Sequence, residues 1–357
     1  MNLSETKQIE MTLPLPVEVR IAQQNDQADW SQYVDSHPEG SVWHSWRWGA
    51  VLERSFGHKP FFLIARREGK VCGILPLALV KSPLFGSSIV SLPFCHYAGP
   101  LVDDPVARAA FDQFAKNLAK AKGVGHLEYR GRAAPSGEWP STDLYVVFRK
   151  QLTLDHEENL LSIPRKQRAM VRKGIKNELS VSISRDHDLF FDLYSDNVHR
   201  HGSPTYGKKY FKILLEEFGE DVDILVVKDK HGTPVSAVLS LYHANEAFPF
   251  YAGDRYVARD LAANDFKYWE LMKHSVSRGC LKFNFGRSKR GTGSFDFKKN
   301  WGFEPMQLAY EYCLITRISV PENNPLNPKY QLAIKLWRKL PRLVVNRIGP
   351  MIVKGLG

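Results

Sequence analysis

The sequence predicts an α+β chain of two similar halves, each a mixed, mostly antiparallel sheet flanked by helices, followed by an amphipathic helical tail. Three observations predict it. Two apolar hairpin segments echo each other, a Gly-terminated helical pattern runs into a strand in each half, and the spacing between echoes is nearly constant.

"FFLIARREGKVCGILPLALV" (61–80) and "DILVVKDKHGTPVSAVLSLYH" (223–243) both read as apolar strand, charged turn with Gly69 or Gly232, and apolar strand, which is a hairpin pattern. "PFCHYAGP" (93–100) is then matched by "PFYAGD" (249–254). The helical "AAFDQFAKNLAKAKG" (109–123) is matched by "NDFKYWELMKHSVSRG" (264–279), and each ends in Gly, a stop signal. The strands "HLEYRGR" (126–132) and "LKFNFGR" (281–287) follow. The offset stays between 155 and 163 residues, and four matches in one order indicate a duplicated unit. Further helices are expected at 188–201 and 208–218. The predicted organisation is a first domain at 17–155, a second at 156–320 and a tail at 321–357, with a linker near 150–160 and "PENNPLNP" (321–328) as a disordered hinge.

At 357 residues, with 43% hydrophobic and 24% charged residues, the chain has the composition of a soluble globular protein with room for two cores. Cys72, Cys95, Cys280 and Cys313 lie far apart without metal-ligand spacing, which predicts buried free thiols and no metal site. The N-terminus has no signal pattern and no apolar run reaches membrane-spanning length, so a cytoplasmic protein is expected. The net charge of +11 is concentrated: 164–176 carries +6, 287–299 carries +4, the tail carries +6 and the remainder is −5. Three basic patches on an acidic body point to anionic partners.

The duplicated order, with "SVWHSWRWGAVLERSFGHKPFFLIAR" in the first half and "IPRKQRAMVRKGIKN" and "AANDFKYWELMKHSVSRGCLKFNFGRSKRGTGSFDFKKNWGFEP" in the second, resembles the FemAB-type transferases. These are tandem domains of the GNAT acyltransferase fold, and the resemblance covers roughly residues 17–317. "GTGSFDFKKNWGF" and the tail together resemble the FemAB-related proteins associated with exosortase (PEP-CTERM) and exopolysaccharide systems. The resemblance implies transfer of an acyl or aminoacyl group to an amine of a cell-envelope or exopolysaccharide precursor, such as an envelope glycan or a lipid-linked amino sugar. It implies an anionic acyl carrier as co-substrate (acyl-CoA, acyl carrier or aminoacyl-tRNA, left open) and no tightly bound cofactor. Two positions depart from the pattern. Asn284 stands where the family strand has Asp and cannot act as a base. The turn "RDLAAN" has Arg259 but Ala262 and Asn264 at glycine or alanine positions, which argues against the close backbone approach acetyl-CoA needs.

Acyl transfer to an amine needs a deprotonated nucleophile, donors for the oxyanion and cations for the carrier. For binding, the candidates are Arg165, Lys166, Arg168 and Arg172 on one basic helical stretch, Arg259, and the basic glycine loop Arg287, Lys289, Arg290, Gly291, Gly293 and Lys298, with the strand expected to stop at Gly286. For proton transfer the candidates are His199, Tyr251 and Asp254, and a substrate-assisted mechanism stays open. All of these lie in the second half, which is expected to carry the groove while the first completes it. The competing function is a non-catalytic module that holds RNA or an anionic polysaccharide; against RNA, 164–176 lacks base-stacking aromatics. In the tail, Tyr330, Ala333, Leu336, Trp337, Leu340, Leu343 and Val344 gather on one helical face opposite Lys335, Arg338, Lys339 and Arg342, with Pro341 expected to kink the helix. Such a helix over 328–354 either docks on an anionic membrane surface or packs on the protein itself. The oligomeric state stays open.

Overall fold

The computed structural model describes residues 16–83, 85–131, 137–321 and 334–356. The strands are β1 (Glu18–Ile21), β2 (Lys59–Arg67), β3 (Lys70–Ser82), β4 (Gly86–Val90), β5 (Leu101–Val102), β6 (His126–Gly131), β7 (Ser141–Thr142), β8 (Tyr145–Gln151), β9 (Ser180–Ser184), β10 (Val222–Lys228), β11 (Pro234–His243), β12 (Glu246–Asp254), β13 (Lys282–Lys289), β14 (Glu304–Gln307) and β15 (Ala309–Leu314). The helices are α1 (Gln27–Ser36), α2 (Trp48–Phe56), α3 (Pro105–Ala121), α4 (His156–Leu161), α5 (Arg165–Lys176), α6 (His187–His201), α7 (Lys208–Phe218), α8 (Ala263–Ser277), α9 (Gly293–Asn300) and α10 (Arg342–Lys354).

The duplicated unit is visible in the topology. One sheet runs β1-β2-β3-β4-β6-β15-β7, with β5 beside β3, and the other runs β14-β8-β13-β12-β11-β10-β9. In each, a hairpin leads to a strand that pairs in parallel with the strand after the crossover helix: β4 with β6 across α3, and β12 with β13 across α8. All other pairings are antiparallel. Local chemistry fixes the ends. The β2–β3 turn puts Glu68 and Gly69 at φ +48° and +78°, the double positive-φ geometry of a tight hairpin. α3 opens on Asp104, whose carboxylate accepts the Ala107 N–H at 2.9 Å, with Pro105 in the first turn.

The sheets do not follow the sequence boundary near 155. β8, which precedes it, lies inside the second sheet between β14 and β13; β15, which comes after the second unit, returns to the first sheet beside β6. Each half thus lends one strand to the other. An apolar cluster spans the junction, joining Trp30, Trp43, Trp48 and Phe62 to Phe190, Tyr210, Phe211 and Phe248. The four cysteines are free and buried.

"PENNPLNP" after Pro321, and Tyr330 and Ala333, lie outside the described residues. Pro341 does not kink a continuous helix. It separates a helical turn at 334–337 from α10, where it serves as the N-cap residue. The Trp337 side of the tail faces the protein: its Nε1 donates to the Ser203 carbonyl (3.1 Å), and Arg342 reaches the Asp192 carboxylate (2.5 Å) and Ser195 Oγ (2.8 Å) on α6. His58 of the first half donates to the Lys354 carbonyl at the tail's far end (3.0 Å). The tail therefore packs on the protein across both halves.

Candidate active site

The site is built where a parallel pair comes apart. β12 and β13 are paired at Glu246–Lys282 and Ala247–Phe283 and then diverge. β13 also bulges, its register against β8 slipping between Asn284 and Gly286. Gly286 sits at φ +74°, and a Cβ there would lie 2.4 Å from Cε1 of His96. The imidazole, from the first half, thus fills the space a side chain would need. Asn284 fastens the bulge. Its Oδ1 accepts from the Gly286 N–H (3.0 Å), and its Nδ2 donates to the Tyr97 hydroxyl (2.8 Å) and to Glu246 Oε1 (2.9 Å). Asn284, which stands where the resembling strand has Asp, is an engaged structural amide.

Contrary to the expected stop at Gly286, β13 runs on through Arg287 to Lys289, paired with β8 throughout. The continuation divides the basic residues between surroundings. Arg287 Nη1 donates to the Tyr310 hydroxyl (2.7 Å) and its guanidinium lies 4.5 Å from the Tyr145 ring. Lys298, on α9, donates to the carbonyls of Gly286 (3.1 Å) and Arg287 (3.0 Å). Neither cation has a carboxylate partner among the described residues. Arg130 from β6 lies over the other part of this cluster, 5.7 Å from the Tyr310 ring and bonded to Glu128 at 2.7 Å.

Enclosure sets the protonation states. Burial, helped by the charge of Arg287, pushes the Lys298 ammonium down to about 7. Burial, then Arg287, Lys298 and Arg130, hold His96 well below the ordinary histidine range, so it is neutral at physiological pH. Its Nδ1 faces the Arg287 N–H (3.4 Å), which leaves the ring proton on Nε2 as an uncharged donor. Trp43 packs on His96 and on Phe250, both at 4.7 Å, and its Nε1 is buried without a partner among the described residues. An orphaned buried donor beside unpaired cations suits an incoming carbonyl or anion.

The other predicted residues fall elsewhere. Tyr251, whose phenol burial keeps protonated, shares a hydrogen bond with Tyr210 (3.0 Å) and packs on Tyr206 (5.1 Å), next to Phe250 in the aromatic wall. Asp254 accepts from the buried Lys267 ammonium (2.7 Å) and from Ser236, so its carboxylate is engaged. His199 donates Nε2–H to the Trp337 carbonyl (3.2 Å), which ties it to the tail. Arg165, Lys166 and Arg172 are exposed on α5, and Arg168 there has a buried Nε without a hydrogen-bond partner among the described residues. α5 lies on α8 through Gly174, where a Cβ would meet Phe266 at 2.7 Å. Asn177 at its end donates to the Leu261 carbonyl (3.0 Å), so the basic helix adjoins the turn that carries exposed Arg259. That turn forms despite its alanines: Ala262 adopts φ +58° and leads into α8 with no side-chain cap. Left-handed alanine costs about 1 kcal/mol, a strain the turn carries at the N-terminal end of α8. Lys289 is buried, Arg290 is exposed and bonded to Gln307 (2.8 Å), Gly291 lies in the turn before α9 and Gly293 is the first residue of α9, both with open space around them.

His96, Arg130, Trp43 and Tyr310 were not among the residues singled out. One signal was available for His96: "PFCHYAGP" differs from its echo "PFYAGD" by the two inserted residues Cys95 and His96. Tyr310 and Arg130 come together through strand exchange, which leaves no periodic trace.

With this geometry in place, comparison with known proteins is informative. Residues 163–299 match the model of the acetyltransferase (GNAT) domain. A search of curated proteins finds no match. Among solved structures, FemX is similar at 17% identity over 89% of this chain and 100% of that one, with a TM-score of 0.65. A tandem GNAT protein from the clavulanic acid biosynthesis pathway is similar at 14% identity over 86% of this chain and 100% of that one (TM-score 0.54). L-PGS from Bacillus licheniformis is similar at 11% identity over 90% and 99% (TM-score 0.53). The fold is two tandem GNAT-like domains, each a mixed sheet flanked by helices.

Proposed function

We propose that this protein is an acyl- or aminoacyltransferase that moves an acyl group to an amine of a cell-envelope or exopolysaccharide precursor. The observation that carries the reading is the convergence of Arg287 and Lys298, without carboxylate partners among the described residues, on neutral His96 at the diverging ends of β12 and β13. In the reaction the acceptor nitrogen attacks the acyl carbonyl, the new C–N bond forms and the bond to the carrier breaks. Lys298, near neutrality in its proton equilibrium, takes the proton the amine loses or donates to the developing oxyanion. Arg287 keeps a fixed positive charge for the anionic group, and His96 Nε2–H supplies an uncharged donor. Arg259, the α8 N-terminus and the α5 basic face are the candidate contacts of the anionic carrier, which is an acyl-CoA, an acyl carrier or an aminoacyl-tRNA.

The test presents the purified protein with each of these donors and an amino-sugar acceptor and follows product mass. Transfer by the native chain is expected, with Arg287→Ala reducing kcat/KM on the order of a hundredfold or more at unchanged folding. Ligand binding without turnover on any donor, or transfer that Arg287→Ala leaves intact, contradicts the reading.

A further inference from the structure

The tail's inward side is accounted for; its outward side is not. Val345, Gly349 and Val353 of α10 are buried. The opposite face presents Leu343, Val344, Arg347, Ile348, Met351 and Lys354, all exposed, with Leu343 at 85% and Met351 at 74%. At 100° per residue these six fall within one sector of the helix. The preceding turn continues the pattern with exposed Lys335, Leu336, Lys339 and Leu340. Seven of the 18 exposed large hydrophobic side chains among the described residues belong to 336–356, so the apolar exposure is concentrated rather than scattered. Lys335, Lys339 and Arg347 have no ion-pair partner among the described residues, and the sequence after Glu322 contains no acid.

We propose that this outward face docks the protein on an anionic lipid bilayer. The face differs from the one the sequence suggested: Trp337 turns inward, while Leu336, Leu340, Leu343, Val344, Ile348 and Met351 form the stripe. Long aliphatic side chains interleaved with unpaired cations suit a boundary where acyl chains meet charged headgroups. A nucleic acid would instead favour exposed aromatics for stacking, and this face has none. A second copy of the chain would set like charges against each other. No described helix is long and apolar enough to cross a membrane, so the contact is peripheral. The proposal stands independently of the transfer reading.

The experiment is flotation of the full chain with vesicles of phosphatidylcholine mixed with phosphatidylglycerol, and with phosphatidylcholine alone. The native chain is expected to float with the anionic vesicles and to be released as salt rises. The triple variant Lys335→Glu, Lys339→Glu, Arg347→Glu should lower partitioning on the order of a hundredfold or more. Leu343→Glu with Met351→Glu should lower it while leaving the melting temperature in place, since both side chains are exposed. Flotation equal on both vesicle types, absent on both, or unchanged in the variants overturns the proposal. So does a concentration-dependent dimer that Leu343→Glu with Met351→Glu dissolves in a chain that does not float. Should the variants unfold, the salt and lipid dependence of the native chain alone decides.

Discussion

Replacing Lys298 by methionine gives a quantitative test of the enclosed ammonium. Its proton equilibrium sits at about 7 in the folded chain, against an ordinary 10.5. Between those values the unfolded chain holds a proton that the folded chain has lost, so stability rises with pH across this window. Below pH 7 the cost of burying the charge is present in full. One proton contributes at most about 1.4 kcal/mol per pH unit, a ceiling of about 5 kcal/mol over the window. The side chain keeps some contact with solvent, so about half of that is the working expectation. Lys298→Met lacks the titrating group. Relative to its own value at pH 10, it should gain about 2 kcal/mol or more on the native chain by pH 6, whatever constant loss follows from the freed Gly286 and Arg287 carbonyls. Urea unfolding midpoints of both proteins at each pH from 6 to 10 measure this. Parallel curves refute the argument, because they mean that the ammonium is as well solvated folded as unfolded. The same group should shape the transfer rate: if neutral Lys298 takes the amine's proton, kcat rises with a midpoint near 7, and Lys298→Arg flattens the profile while preserving charge.

Gly286→Ala should destabilise by about 2 kcal/mol or more, from the positive φ and the clash with His96, as read by thermal melts. Adding His96→Ala should recover the clash portion but not the backbone portion, a non-additivity that a double-mutant cycle detects. Asp254→Asn leaves the Lys267 ammonium, which is 0% exposed, without its carboxylate, and should cost about 3 kcal/mol by urea unfolding. A fragment of residues 156–320 should be insoluble or unfolded by circular dichroism, because it lacks β8, the interior strand that joins β14 to β13 in the second sheet; a chain starting at residue 143 should fare better.

Much of the fold was legible because repeats and periodicity are local signals. Helix 208–218 falls where expected, and the hairpins and crossover helices fall within a few residues of their expected positions. The basic helix was legible as a row of cations. What the sequence did not disclose is which cations are enclosed. Arg287 and Arg290 are three apart, but Arg287 stacks between tyrosines at the junction and Arg290 lies exposed against Gln307. His199 and Asp254 carry suitable chemistry on paper, yet a tail carbonyl and a buried lysine occupy them. Such partners come from distant segments, and spacing along the chain carries no information about them.

The duplication explains why the candidate site draws on both halves while the two parallel pairs end differently. In the first half the chain after β4 folds back onto β6, with the Ser91 N–H donating to the Glu128 carbonyl and the Ala98 N–H to the Arg130 carbonyl, both at 2.9 Å. The parallel pair β4–β6 is thereby extended and its divergence is filled by the protein's own backbone. In the second half, β12 and β13 part after two pairs with no such filling segment described. The plug is not inert. It contains Cys95 and His96, the two residues by which "PFCHYAGP" exceeds its echo, and it delivers His96 against Gly286 of the open half. The exchanged strand β15 brings Tyr310 to Arg287, and Tyr310 in turn donates to the His96 carbonyl at 2.6 Å. One repeat fills the gap beyond its own parallel pair and supplies the imidazole, while the other supplies Arg287 and Lys298. Neither half alone holds both sets of groups, and the exchanged strands β8 and β15 tie the two halves together.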